Sequence, residues 1–284
     1  MKGSYCVLLF FVVCLLAGLF SYEKIYLKKK TYGYYKETIS KENNNNTNQN
    51  QIEQETMVTS LEVLTEQNPE QEQKKEEKKV FLTFDDGPSE ITETILDTLK
   101  KYDIKATFFM IGEQITEDKE ELVKKMVEQG HEIGVHTYTH EKDEIYASAQ
   151  AYIEDVVKTS KRIEEVIGKK PVYYRFPWGS VNNYICSFRK EIIDTLAASG
   201  YQYIDWNVSG EDSVGCPSIQ MIYSNIKRDY NKYNEPVVLM HDSQSNQMTA
   251  EALSDIIKLF QDAGYEFGSI GERSKPYQWC REES

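Results

Sequence analysis

The chain has 284 residues, with 46 Asp+Glu against 33 Lys+Arg for a formal charge of −13, 40% hydrophobic residues and 12% aromatics. At about 150 residues per domain this is one large domain or two small ones, and its apolar content suffices for a substantial core, which excludes wholesale disorder. The acidic balance argues against a general nucleic-acid binder, and 15 glycines and five cysteines without a fixed period exclude collagen-like, repeat-array and disulfide-dense scaffolds.

The first element is apolar. Lys2 precedes an uncharged stretch from Tyr5 to Phe20, and Lys24 and Lys28 to Lys30 follow it. The stretch is longer than a typical signal-peptide core and shorter than the roughly 20 residues of an ideal span. No small-x-small cleavage site stands out, so residues 1–30 read as a cytoplasmic end and an uncleaved signal-anchor, with cleavage and secretion the alternative. Positive charge on both flanks leaves orientation open. Either way the chain enters the export route, which places the rest at the cell membrane, outside the cell. Residues 31–79 carry an Asn/Gln tract (Asn43 to Gln51) and a Glu/Gln/Lys tract (Glu66 to Lys79), the composition of a solvated tether that cannot bury enough apolar surface to order itself.

From Val80 onward the pattern is regular, and residues 80–284 read as one domain. Short β-rich runs occur at Val80–Phe84, Ala106–Ile111, Glu132–Val135, Val172–Arg175, Tyr201–Trp206, Pro236–Met240 and Tyr265–Phe267. Helical patterns lie between them: Ile91, Ile95, Leu99 and Tyr102 share a face, as do Leu122, Val123, Met126 and Val127, and also Ile153, Val156, Val157, Ile163 and Val166. Further helices are expected near Arg189–Ala198, Ser218–Tyr230 and Thr249–Ala263. Gly130, Gly200 and Gly264 each stand at the expected C-terminal cap before a strand. Seven strands alternating with helices predict an α/β fold with a parallel sheet, open or closed into a barrel, and chemistry beyond the C-terminal strand ends.

Those ends carry the informative residues: Asp85-Asp86-Gly87-Pro88 after the first strand, His136 to His140 after the third, Arg175-Phe176-Pro177-Trp178-Gly179 after the fourth, Glu211-Asp212 after the fifth and Leu239-Met240-His241 in the sixth. Taken singly, each has an ordinary structural reading. Asp-Asp-Gly is a turn with a helix cap at Ser89, His136 and His140 are surface residues, His241 is a hydrogen-bonded core histidine, and Arg175 is a packed arginine. Their joint occurrence on one face favours a site. Cys186, Cys216 and Cys280 form no Cys-x-x-Cys pair, which argues against a cysteine zinc site. A Cys186–Cys216 bridge at the rim and two free thiols both remain open.

The motif set resembles the NodB-homology polysaccharide deacetylases, carbohydrate esterase family 4, over roughly Lys79 to Glu272. It comprises Thr83–Gly87 (TFDDG), His136–His140 (H-[ST]-x-x-H), Arg175–Gly179 (R-x-P-x-G), Leu239–His241 (L-x-H) and the lead-in Gly130-His131-Glu132-Ile133-Gly134. The resemblance implies a distorted (β/α)7 barrel and hydrolysis of acetamides on N-acetylglucosamine-type residues of an envelope polysaccharide, peptidoglycan foremost. The same site also suits O-acetyl ester hydrolysis, and a catalytically silent glycan binder is the reading of a different class. The resemblance further implies Asp86, His136 and His140 as ligands of a divalent metal, Zn2+ first with Co2+ an alternative. Asp85 becomes the general base oriented by Arg175, and His241 the general acid supported by Asp212. Pro177, Trp178 and Leu239 contact substrate, with the Trp178 N–H facing the oxyanion. One motif departs from the common D-x-x-D-W pattern: Ser213 follows Asp212 where the family has a tryptophan walling the acetyl pocket. The membrane and the glycan are the expected partners; neither a nucleic acid nor a protein partner is indicated.

Overall fold

The computed structural model describes residues 78–279. The expected anchor, most of the tether and Cys280 lie outside them. Eight parallel strands were found: β1 (Lys78–Asp85), β2 (Thr107–Ile111), β3 (Glu132–Thr137), β4 (Tyr173–Tyr174), β5 (Gln202–Tyr203), β6 (Val208–Ser209), β7 (Val237–His241) and β8 (Tyr265–Gly268). The α-helices between them are α1 (Thr92–Lys101), α2 (Glu120–Glu128), α3 (Lys142–Ile145), α4 (Ala149–Ile167), α5 (Arg189–Ala198), α6 (Ile219–Asp229) and α7 (Gln247–Asp262). β1 begins two residues before the expected boundary at Val80, because Lys78 and Lys79 pair with Tyr265 and Glu266 of β8. Among the described residues no helix is long and apolar enough to cross a membrane.

The sheet runs β5-β4-β3-β2-β1-β7-β6, with β8 pairing the start of β1. β5 and β6 are consecutive in sequence yet lie at opposite ends of this path. Their link, residues 204–207, reaches at most roughly 18 Å, so the sheet must curl until its two ends approach. The expected barrel is therefore a half-barrel with an open seam. β5 and β6 are two residues each and form no ladder with one another. Residues 277–279 lie along the seam instead: Asp205 N–H donates to the Tyr277 carbonyl at 2.8 Å, Trp279 N–H to Asp205 Oδ2 at 2.9 Å and Trp279 Nε1–H to the Trp206 carbonyl at 2.7 Å.

Strand alternation divides the core in two. Val80, Leu82 and Phe84 of β1 join the outer cluster under the helices, whereas Phe81 joins a smaller inner one with Phe109, Ile204, Val237 and Ile270. Thr83 and Asp85 share the parity of Phe81, so the inner face of β1 climbs from a phenylalanine floor to a carboxylate. The long helices supply the outer layer. On α7, Ala250, Leu253, Ile257 and Phe260 are buried at helical spacing, worth about 1.5–3 kcal/mol for each large side chain. Cys186 and Cys216 are both free and exposed, so the bridge considered from sequence is not formed; the Cys186 thiol faces the Asn182 carbonyl one turn back.

Candidate active site

Asp85 ends β1, in register with His241 at the end of β7. The chain then turns through Asp86 at φ 75°, and Gly87 N–Cα has no room for a side chain: a Cβ there would lie 2.3 Å from Asp242 Oδ2. Asp242 is fully buried. It accepts hydrogen bonds from Thr92 Oγ1 (2.6 Å) and Ser89 Oγ (3.2 Å), and its own N–H donates to the Asp85 carbonyl at 2.7 Å. The Ser89 hydroxyl accepts from Ile91 N–H within the turn, but α1 is capped by Ile91 without a side-chain bond, so the helix cap expected at Ser89 is not formed: the hydroxyl lies three residues ahead of the first helical residue.

Left-handed backbone recurs at this face: His140 at φ 59° and Trp178 at φ 60°, with β-branched Thr137 at φ 124°. Such conformations cost of order 1–3 kcal/mol each and persist where surrounding contacts fix them. Asp155 of α4 supplies one such contact by accepting from Tyr138 N–H. That bond fixes the loop between His136 and His140.

His136 Nδ1 lies 3.1 Å from the Arg175 carbonyl, which can only accept, so Nδ1 carries the proton and Nε2 presents a lone pair. Burial holds its pKa well below the ordinary value, aided by the positive neighbours His140, Arg175 and His241, so the ring is neutral at pH 7. Its Nε2 is 3.4 Å from Asp86 Oδ1, and His140 Nε2 is 3.6 Å from the same oxygen. One ligand atom from each of the three residues falls within 4.8 Å of the others. Asp86 Oδ1 is buried and has no hydrogen-bond partner. An orphaned carboxylate oxygen between two imidazole nitrogens fits a divalent cation with three protein ligands and open positions for water and substrate.

Two ion pairs flank this cluster. Arg175 is fully buried. Its Nη1–H donates to Asp85 Oδ1 and to Thr83 Oγ1, both at 2.8 Å, its Nε–H donates to the Ile204 carbonyl at 3.0 Å, and its guanidinium stacks 4.3 Å above the Phe109 ring. Burial raises the Asp85 pKa to about 6 against the lowering influence of Arg175 and His241. In the second pair, His241 Nδ1 lies 2.8 Å from Asp212 Oδ1, while Asp212 Oδ2 accepts from His241 N–H and Thr249 Oγ1 at 2.7 Å each. Burial by itself lowers the His241 pKa. The Asp212 hydrogen bond and charge, with Asp86 and Asp85, outweigh it and raise the value to about 9. One carboxylate is thus a stronger base than an ordinary aspartate while held by an arginine, and one imidazole remains a cation at neutral pH.

The remaining expected residues lie on the same rim. The Pro177 carbonyl accepts from Tyr146 Oη at 2.8 Å, Trp178 is 48% exposed with its ring centroid 4.9 Å from that of His140, and Leu239 is buried on β7. Ser213, after Asp212, is exposed. Sequence reasoning missed Thr83, Asp155, Asp205, Asp242 and Thr249, which orient the site without facing it. Asp205 accepts from Ser180 N–H and Oγ and secures the arginine loop. Only Thr83 and Asp242, inside or beside the motifs, could have been singled out.

An Asp-His-His cluster between an arginine-held carboxylate and an aspartate-held imidazole, at the C-terminal edge of a curled parallel sheet, is the arrangement of a hydrolase. Residues 72–202 match the polysaccharide deacetylase family. A peptidoglycan-N-acetylglucosamine deacetylase of Bacillus cereus is 34% identical over 206 residues, 70% of this chain and 72% of that one. A bifunctional xylanase/deacetylase of Pseudobutyrivibrio xylanivorans is 33% identical over 69% of this chain but only 30% of its own length. Among solved structures, the catalytic domain of a peptidoglycan N-acetylglucosamine deacetylase from Eubacterium rectale superposes with a TM-score of 0.66 at 31% identity, over 72% of this chain and 93% of that domain. The chain belongs to the polysaccharide deacetylase family, carbohydrate esterase family 4, and is a hydrolase of that class.

Proposed function

We propose that the protein is a metal-dependent N-deacetylase acting on N-acetylglucosamine residues of a cell-envelope polysaccharide, peptidoglycan foremost. The buried, unpartnered Asp86 Oδ1 facing His136 and His140 carries this reading. Bound by those three side chains, a divalent cation (zinc by its nitrogen and oxygen ligands, cobalt as an alternative) supplies Lewis-acid polarisation of the acetamide carbonyl and acidifies water. Asp85, oriented by Arg175, takes the proton of the attacking water on its free oxygen. The Trp178 N–H donates to the oxygen that gains charge, while Pro177 and Leu239 line the acetyl group. His241 hands its Nε2 proton to the departing nitrogen, because an amide anion is too basic to leave unaided; Asp212 stabilises the imidazolium until that transfer and keeps the Nδ1 proton in place after it. We further propose that the apolar stretch from Tyr5 to Phe20 anchors the chain with this domain outside the cell, a location that would suit a wall substrate.

Acetate release from an N-acetylglucosamine pentamer and from isolated peptidoglycan, before and after chelation and zinc restoration, tests the reading. Release that is lost with chelator and regained with zinc is expected. A protein that holds zinc stoichiometrically and releases no acetate from either would overturn it, as would release indifferent to chelator. O-acetylated xylan in the same assay separates ester from amide hydrolysis.

A further inference from the structure

Beside the seam lies a cavity of about 710 Å³ between β4, β5 and α5, and Cys186, Gln278 and Trp279 all belong to its walls. Cys186 is a free, exposed thiol, and its weak bond to the Asn182 carbonyl at 3.7 Å leaves it open to solvent. Cys280 follows Trp279 directly in the sequence. Cys216, the other exposed thiol, forms no wall of this cavity.

Two sets of contacts bring residues 277–279 to the segment that carries Cys186. The Trp279 ring lies over Gly179, where a Cβ would come within 2.4 Å of it. Asn182, whose carbonyl faces the Cys186 thiol, donates from Nδ2 to the Gly179 carbonyl at 2.7 Å. Ring and thiol therefore sit on the same turn, residues 179–182. Both sides are held: Gln278 Nε2–H donates to the Tyr203 carbonyl at 3.0 Å, Trp279 N–H donates to Asp205 Oδ2 at 2.9 Å, and Ile185 is fully buried next to Cys186. One further residue adds about 3.8 Å of reach, and a disulfide spans up to roughly 7 Å between Cα atoms.

We propose that Cys186 and Cys280 form a disulfide that latches the C-terminal strap over the seam. The bond forms by exchange with a disulfide donor, either a dithiol oxidase of the export compartment or a small-molecule disulfide. One cysteine thiolate attacks the donor, a mixed disulfide forms and the first donor sulfur leaves; the second cysteine thiolate then displaces the other. The two thiols lose two protons and two electrons in all, and the donor is reduced to two thiols. Export of the domain, the location proposed above, exposes both thiols to such donors. The bond closes the chain from α5 to β8 into one covalent loop, which restricts the unfolded state, and it keeps Trp279 packed on Gly179 beside the Trp178 N–H.

The test oxidises the full chain with glutathione disulfide, alkylates it without reduction and digests it with trypsin for mass spectrometry. The expected product links residues 176–189 to residues 274–281, and reduction separates the two. Bridged protein is expected to melt about 5–10 °C above its reduced form, with slower hydrogen exchange in residues 202–209. Cys216→Ser should keep both differences and Cys280→Ser should abolish them. Quantitative alkylation of Cys186 or Cys280 after oxidation, glutathione persisting on either, or a link of either to another cysteine would overturn the latch. A bridge that forms without slowing exchange in residues 202–209 would overturn its role at the seam.

Discussion

Asp85 and Asp86 are neighbours with different chemistry because the backbone turns between them. Asp85 keeps the inward parity of β1 and meets Arg175, whereas Asp86, at φ 75°, swings its carboxylate to His136 and His140. If Asp86, His136 and His140 hold zinc as proposed, Asp85→Asn is expected to leave zinc affinity unchanged and to lose about 10²–10⁴-fold in kcat because an amide accepts no proton; near-normal turnover at neutral pH would reject Asp85 as base. As the general acid of the proposed mechanism, His241 would work only when protonated. With its pKa raised to about 9, activity on kcat/KM is present at neutral pH and is lost as pH rises through that value, or somewhat below it once a cation offsets the Asp85 and Asp86 charges. Asp212→Asn removes the hydrogen-bonded carboxylate that raises it, so the alkaline limb of the pH profile should move to lower pH; an unmoved limb would assign the acid elsewhere. Gly87→Ala forces a methyl group onto Asp242 Oδ2 and should impair zinc binding and turnover together, read by calorimetry and assay.

Among the elements, those with a strong period were legible. The apolar faces that α1, α4 and α7 turn to the sheet and the apolar runs of β1, β2 and β7 are buried as their spacing requires. The motifs at strand ends were legible too, because three of only four histidines converge there. What escaped was the seam. Two-residue strands carry no readable alternation, and the run from Tyr201 to Trp206, expected as one strand, ends as a ladder after Tyr203, where the backbone of Asp205 turns to Tyr277. Nothing in local sequence announces that residues 277–279 close a gap some 75 residues earlier in the chain, as the bond from Gln278 to the Tyr203 carbonyl does. The Trp279 ring packs against Trp206 at 4.4 Å and over Gly179, next to the expected oxyanion donor. Trp279→Ala should cost about 1–3 kcal/mol. Hydrogen exchange should quicken first in residues 202–209 and leave β1 protected. Uniform loss of protection would mean that the seam and the sheet open as one unit.

At the scale of the whole molecule, the buried carboxylates whose pKa burial raises, Asp85 and Asp242, oppose folding at neutral pH, whereas the raised pKa of His241 favours it. Asp242 is the clearest case. It joins the ends of β1 and β7 to the start of α1, yet only hydroxyls and no cation share its hydrogen bonds, and burial raises its pKa from 3.8 to about 7. The folded protein therefore holds a proton on Asp242 that the unfolded chain has released between about pH 4 and pH 7. Stability from this group falls as pH rises through that window, and the cost of the buried carboxylate is fully present above it. Asp242→Asn keeps an acceptor for Thr92 and Ser89 and removes the titration. In metal-free protein, the difference in Tm between Asp242→Asn and the parent should lie near zero at pH 4, grow through pH 7 and stay positive at pH 8, measured by scanning calorimetry. A difference that is flat with pH, or negative at pH 8, would show that the carboxylate is ionised in the fold at little cost.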